Sequence, residues 1–134
     1  MLTLQKIHED YLAIAQKWDA TTREFPVPTE PDHQGQEHLE ITQNTYSLIE
    51  TERGKITNKR STESKDELLY WIFSDQAFAS GWGYSMQNRV EGKDFRRAAF
   101  NHALSKMKQF SDVWADRFRQ DIESILEQNP YVDD

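Results

Sequence analysis

The chain has 134 residues, no cysteine and a formal net charge of −7. A chain of this length is expected to form a single domain, residues 1–134, that buries a core without disulfide bonds or a structural metal. The absence of cysteine excludes disulfide frameworks, thiolate nucleophiles and zinc–thiolate sites. We find no signal-peptide pattern and no apolar run of membrane-spanning length, so we expect a cytoplasmic protein with no membrane contact.

Acidic and basic residues are unevenly distributed along the chain. Residues 1–52 contain ten acidic and three basic residues, residues 53–110 contain six and eleven, and residues 111–134 contain seven and two. The simplest interpretation is that acidic ends pack beside a basic centre. The alternative is an acidic surface that docks a basic partner, where charge raises the association rate and selects the partner.

Residues 1–20 predict the first helix. Its apolar residues recur at intervals of three and four, which places them on one face of a helix about five turns long. These residues are Leu4, Ile7, Tyr11, Ile14 and Trp18. The same stripe could be the seam of a homo-oligomer, but a single helix of this length more often packs on its own core.

Residues 25–36 predict a surface loop. Pro26, Pro28 and Pro31 remove backbone donors and force an extended or turn conformation. A loop of this length inside a compact domain often has a function.

Residues 37–60 predict a small antiparallel meander of three strands with one apolar face. Leu39 and Ile41 alternate with polar residues, as in a half-buried strand. The turns are predicted at residues 43–44 and 53–54, where Gly54 can adopt positive φ.

Residues 64–128 predict the helical part of the chain. Ser64 and Glu67 have the spacing of a capping box. The large apolar residues that follow are too many for one stripe: Leu68, Leu69, Trp71, Ile72 and Phe73. A helix that is apolar nearly all round is covered on several sides, so we expect this to be the central helix.

Two glycines interrupt the second half of the predicted central helix. Gly81 and Gly83 flank Trp82, and each glycine costs about 1 kcal/mol relative to alanine inside a helix. We therefore expect a kink or break near Trp82, after which the helix resumes to about Arg89 and ends at Gly92.

Two further helices are predicted to follow. Asp94 and Ser111 are suited to cap them, and Asn129-Pro130 is suited to end the second one. Residues 129–134 remain as an acidic tail. The predicted fold is therefore α+β and predominantly helical, with four to five helices and the meander between the first and central helices.

The sequence contains no recognisable catalytic or cofactor motif. His8, His33, His38 and His102 do not have the spacing of metal ligands, and neither a G-x-S-x-G motif nor a glycine-rich phosphate loop is present. We predict no catalytic residue, no metal and no cofactor. Nucleic-acid binding is not expected either, because the chain is acidic and its basic residues cluster on one predicted edge strand.

Glu91 and Asp94 form a close pair of carboxylates. Such a pair can divide acid and base roles in a hydrolase when burial separates the two pKa values. Four basic residues surround them and would keep both ionised: Arg89, Lys93, Arg96 and Arg97. The pattern therefore favours salt bridges at a helix junction, with the hydrolase as the alternative.

Two segments carry a resemblance to a known family. DELLYWIFSD at residues 66–75 and NRVEGKDFRRAAF at residues 88–100 resemble the immunity protein 63 family of bacterial polymorphic toxin systems. The order around them agrees, with ETERGK at residues 50–55 and a late helix that contains Trp114-Ala-Asp-Arg117. The resemblance covers roughly residues 39–134. The chain departs from it at residues 79–84, where the family has uninterrupted helix and this chain has two glycines.

The resemblance implies a non-enzymatic cytoplasmic protein that binds and neutralises a cognate toxin. We predict that it covers the active or substrate-binding face of the toxin, which is basic if the toxin is a nuclease. The predicted contacts are two aromatic anchors and four acidic steering residues: Trp82, Tyr84, Glu30, Asp32, Glu37 and Glu40. The alternatives are a hydrolase that uses Glu91 and Asp94, and a homo-oligomeric scaffold.

Overall fold

The computed structural model describes residues 3–134. In chain order, its elements are helix α1 (Leu4–Ala15), strands β1 (Gln34–Thr42), β2 (Thr45–Glu52) and β3 (Lys55–Thr62), and helices α2 (Lys65–Gln87), α3 (Phe95–Phe110) and α4 (Asp112–Gln128). The predicted α+β class, with a meander between the first and central helices, is confirmed. The chain divides into two compact units, one ending at Leu69 and the other beginning at Tyr70. None of the helices within residues 3–134 is long and apolar enough to span a membrane.

Helix α1 is shorter than predicted. Thr3 caps it by accepting a hydrogen bond from the backbone N–H of Lys6 at 3.3 Å, and Ile7 and Tyr11 are buried as the stripe predicts. At its end, the N–H of Trp18 donates to the carbonyl of Ala15, a three-residue spacing that tightens the last turn. Trp18 therefore lies beyond the helix, where it is 39% exposed.

The sheet has the strand order β1-β2-β3, with antiparallel pairing throughout. Both predicted turns are confirmed, with positive φ at Gln43 and at Arg53 and Gly54. β1 begins at Gln34, three residues earlier than the predicted meander, so the proline loop is shorter than predicted. The expectation of a single apolar face is wrong for β2, because the neighbouring Leu48 and Ile49 point to opposite faces and both are buried.

Helix α2 is continuous over 23 residues, so the predicted break near Trp82 is wrong. The backbone N–H of Glu67 donates to the Ser64 hydroxyl at 3.1 Å, which confirms the predicted cap. A Cβ atom at Gly81 would lie 2.1 Å from the carbonyl oxygen of Ala99. Glycine is therefore present there because α3 approaches the α2 backbone closely, and not because the helix breaks.

Helices α3 and α4 begin where the sequence predicts. Asp94 accepts a hydrogen bond from the N–H of Arg96 at 2.9 Å, and Ser111 accepts one from the N–H of Trp114 at 3.2 Å. Helix α4 ends at Gln128, with Asn129 as its C-cap. Gly92 does not end α2 as predicted, because α2 stops at Gln87 and Gly92 takes positive φ in the loop before α3.

Large side chains fill the core of the second unit. Phe73, Met107 and Phe118 are fully buried. The ring centroids of Phe73 and Phe110 lie 4.6 Å apart, as do those of Phe78 and Phe118. This packing fixes the positions of α2, α3 and α4 within the unit, and thereby the surface described next.

Candidate partner-binding site

The two predicted aromatic anchors lie on different sides of α2. Trp82 and Tyr84 are each 43% exposed. Two residues apart on a helix, they point in directions about 160° apart around the helix axis. The Trp82 ring packs edge-on against Phe95 at 5.0 Å, whereas the Tyr84 ring stacks on His102 at 4.5 Å with an interplanar angle of 10°. They therefore do not form one anchor pair.

The stack of Tyr84 on His102 joins the surfaces of α2 and α3. His102 is also held by Ser80, whose Oγ lies 3.1 Å from the His102 Nε2 in a hydrogen bond. Ser80 and Tyr84 are four residues apart and so share one side of α2. Because one ring covers the other in parallel, the pair forms a flat aromatic wall that is partly open to solvent.

A groove runs along this side of α3. Its first part, about 320 Å³, lies between the end of α2, the loop that follows it and the start of α3. Its second part, about 400 Å³, is lined by Tyr84, His102 and Ser105. Both parts are also lined by Ala98 and Asn101, so they adjoin. We call this surface the α2–α3 groove.

Cationic and apolar side chains line the first part of the α2–α3 groove. The cationic residues are Arg89, Lys93 and Arg97, and the apolar ones include Val90, Phe95 and Ala98. The lining also includes Asp94, whose carboxylate is already bonded to Arg96 and to the N–H of Val132. The Arg89 guanidinium lies over the Phe95 ring, 5.5 Å from its centroid. Buried Ser85 donates to the carbonyl of Phe95 at 2.7 Å and holds the start of α3 against α2. The groove could not be recognised from the sequence, because its residues come from two helices and the loop between them.

Asp94 is a structural cap. Besides capping α3, its carboxylate accepts hydrogen bonds from Arg96 Nη2 at 3.0 Å and from the backbone N–H of Val132 at 2.8 Å. These bonds, the one from the Arg96 side chain first, hold the pKa of Asp94 well below its usual range. Glu91 is exposed in the preceding loop. Asp94 therefore lacks the raised pKa that a general acid needs at neutral pH.

The acidic tail is attached to the start of α3. The Asp133 carboxylate accepts a hydrogen bond from Arg97 Nε at 3.0 Å and one from the N–H of Asp94 at 2.7 Å. The Tyr131 ring lies beneath the Arg97 guanidinium at 4.2 Å, and Arg96 Nη1 donates to the carbonyl of Asn129 at 2.8 Å. Arg97 lowers the pKa of Asp133. The charge distribution, with its acidic end and basic centre, was the only sequence signal of this contact.

The four predicted steering residues lie in the first unit, and two of them have structural contacts. Glu37 Oε1 lies 3.0 Å from Arg60 Nη2. Asp32 accepts hydrogen bonds from the N–H groups of Gln34 and Gln36 at 2.8 and 3.3 Å, which shapes the entry to β1. The other two, Glu30 and Glu40, are exposed.

Within the part of the chain that the structure describes, no three histidine, aspartate or glutamate side chains are grouped so that they could hold a metal ion.

The sequence matches a protein-family model. The family model described as Immunity protein 63 matches residues 43–124. The match spans β2, β3, α2, α3 and most of α4, and so includes the α2–α3 groove. No curated protein and no solved structure matches the sequence. Since the family model covers more than half of the 134 residues, the chain belongs to the immunity protein 63 family.

Proposed function

We propose that this protein is a non-enzymatic immunity protein of the cytoplasm that binds a cognate toxin and neutralises it. The match to the immunity protein 63 family carries this proposal. Neutralisation occurs by occlusion: the protein covers the active or substrate-binding face of the toxin and keeps its substrate out. Such a mechanism requires an exposed surface and no catalytic group.

The state of the ionisable residues supports a binding role. Asp94 is occupied by Arg96 and by the tail, and its pKa is lowered. Glu91 is exposed rather than enclosed with Asp94 in a pocket. No observation favours a hydrolase that uses these two carboxylates.

Self-association through α1 is also not favoured. The predicted seam residue Ile7 is fully buried and Tyr11 is 4% exposed. The Tyr11 ring packs edge-on against Phe25 at 5.6 Å within the first unit. These two residues of the stripe are therefore already covered by the chain itself, whereas Leu4 and Trp18 at its ends are each 39% exposed.

Two kinds of exposed residue are proposed as toxin contacts. Tyr84 and Trp82 present aromatic surface on separate flanks of α2, and tyrosine and tryptophan are frequent anchors of interfaces. Glu30 and Glu40 are the steering residues that are free of the contacts seen at Asp32 and Glu37. Exposed acidic groups would raise the rate of association with a basic toxin face, such as that of a nuclease.

Co-expression with the toxin encoded by the adjacent gene tests the proposal. Cells that express the toxin alone should stop growing, cells that also express this chain should grow, and the two proteins should co-purify. Continued growth arrest in the presence of folded protein would refute the proposal.

A pair of charge-reversal variants tests the steering residues. Glu30→Lys with Glu40→Lys should slow association with the toxin by about tenfold at low ionic strength, because exposed charges act mainly on the association rate. The matched control is Glu9→Lys with Glu63→Lys, which makes the same change of charge at two other exposed positions. Equal slowing by both double variants would show that only net charge matters and would remove Glu30 and Glu40 from the site.

A further inference from the structure

We infer that the α2–α3 groove binds an acidic segment of a partner protein that also carries an apolar side chain. The inference rests on the proposed function in one respect, namely that the partner is the toxin. It goes further by assigning a surface and the chemistry of the segment that this surface recognises.

Two exposed cations give the groove its charge preference. Among residues 3–134, neither Arg89 nor Lys93 forms a salt bridge, whereas Arg97 is paired with Asp133 at 2.9 Å. Lys93 lies near enough to Asp133 to lower the pKa of that carboxyl, but it does not contact it as a salt-bridge partner. Arg89 contacts the face of Phe95 but no carboxylate, so these two cations form a local site for carboxylates in a chain of net charge −7.

The groove also offers apolar surface beside these cations. Val90 is 57% exposed although it is a large aliphatic residue. Phe95 and Ala98 line the same cavity of about 320 Å³, a volume at the lower end of the range of ligand pockets. An apolar side chain of the partner that entered this cavity would cover Val90, and flanking carboxylates would reach Arg89 and Lys93.

The second part of the groove extends the site along α3. From Phe95 to Ser105 the helix advances about 15 Å, which matches about five residues of extended chain. The wall formed by Tyr84 and His102 supplies aromatic surface, and Asn101 and Ser105 supply polar groups for backbone hydrogen bonds. Tyrosine next to donors and acceptors is typical of interface centres.

A peptide segment fits this surface better than a nucleic acid does. A nucleic acid is held by many phosphate contacts along an extended basic track. Here only two cations without a salt-bridge partner among residues 3–134 lie beside the apolar cavity, too few to form such a track. The combination of few cations, apolar surface and an aromatic wall favours a short acidic and apolar segment.

Selection of short random peptides on the full chain tests the inference. Peptides that bind wild type should be enriched in aspartate and glutamate around a large apolar residue. Their affinity should fall by at least about tenfold in Arg89→Glu with Lys93→Glu, and also in the milder Arg89→Gln with Lys93→Gln. The matched control, Lys55→Glu with Lys59→Glu on exposed β3, should stay within about twofold of wild type, because these cations lie in the other unit.

Three outcomes would overturn the inference: basic peptides are selected, the groove variants bind the selected peptides as wild type does, or a single-stranded oligonucleotide binds more tightly than the peptides and depends on the same two cations.

The same variants then separate the two proposals in the co-expression assay. If the groove variants still neutralise the toxin, the groove is not the toxin-binding surface, while the immunity function stands. If wild type itself fails to neutralise the toxin, the immunity function fails whatever the peptides show.

Discussion

Replacement of Gly81 by alanine tests how closely α2 and α3 pack. An added Cβ would lie 2.1 Å from the carbonyl oxygen of Ala99, 3.0 Å from its carbonyl carbon and 3.3 Å from the Cβ of Ala103. A carbon atom approaches a carbonyl oxygen to about 3.3 Å without repulsion. The two helices would therefore have to separate locally by roughly 1 Å, since the atoms in the way belong to the backbone and cannot rotate aside.

Two opposing terms decide the sign of the effect at Gly81. Alanine gains about 1 kcal/mol over glycine from helix propensity. Overpacking a filled interior costs about 1–3 kcal/mol, and a clash with backbone lies at the upper end of that range. We expect Gly81→Ala to lower the free energy of unfolding by about 1–2 kcal/mol, because the clash exceeds the propensity gain.

Gly83→Ala is the matched control. It lies two residues further along the same helix, and an added Cβ there meets no atom within 4 Å. Only the propensity term remains, so this variant should gain about 0.5–1 kcal/mol. The two alanine variants should thus differ by roughly 2 kcal/mol although they make the same chemical change in the same helix.

Urea unfolding followed by far-UV circular dichroism measures both variants. The midpoint should fall for Gly81→Ala and rise for Gly83→Ala, with an unchanged dependence on urea concentration, which indicates that only stability has changed. If Gly81→Ala were as stable as Gly83→Ala, the close approach of α3 to α2 would be refuted. The geometry of the α2–α3 groove would then be in error as well, because both helices form its walls.

Three further perturbations address other contacts. Tyr70→Phe removes the hydroxyl that lies 2.5 Å from Asp121 Oδ2 and should lower the free energy of unfolding, measured with urea, by about 1 kcal/mol. A variant as stable as wild type would show that water replaces the bond. Asp94 and Asp133 have lowered pKa values in the folded state, so each adds to the free energy of unfolding at pH values above the unfolded pKa of 3.8. This contribution is lost progressively as the pH falls from there through the lower pKa of the folded state. Between pH 7 and pH 3, the urea midpoint should therefore fall less steeply with decreasing pH in Asp94→Asn than in wild type, while the asparagine keeps an acceptor for the cap. The same pH dependence in both proteins would contradict this. Ile7→Ala should cost about 2–4 kcal/mol because Ile7 is fully buried, and the loss should not depend on protein concentration; a dependence would instead indicate self-association through α1.

The sequence predicted those features of the fold that depend on one residue and its immediate neighbours, such as helix caps and turns. The cap residues Asp94 and Ser111 and the turn at Arg53-Gly54 have the predicted roles, because a cap or a turn requires little beyond its own neighbours. The prediction at Gly81 was wrong for the opposite reason. Position 81 requires glycine because the backbone of Ala99, eighteen positions away, leaves no room for a Cβ atom, and helix propensity contains no information about that contact.

The candidate site was less predictable than the fold for a similar reason. Trp82 and Tyr84 are indeed exposed, but whether two residues form one site depends on the direction in which each points from α2. Because α2 was expected to break near Trp82, the directions of the two side chains could not be derived from helical geometry. Likewise, salt bridges were expected at the helix junction around Glu91 and Asp94. Arg96 does pair with Asp94, whereas Arg97 pairs with Asp133 of the distant tail.

The attachment of the tail determines which part of the basic centre remains for a partner. Arg96 is engaged by Asp94 and by the carbonyls that follow α4, and Arg97 by Asp133 and Tyr131. These contacts are intramolecular, so a partner would have to break them before it could use either arginine. Arg89 and Lys93 require no such exchange. A carboxylate that reached them would gain a charged contact without displacing an existing salt bridge. The α2–α3 groove is therefore better suited to recognise an acidic segment than the arginine pair at the start of α3 is.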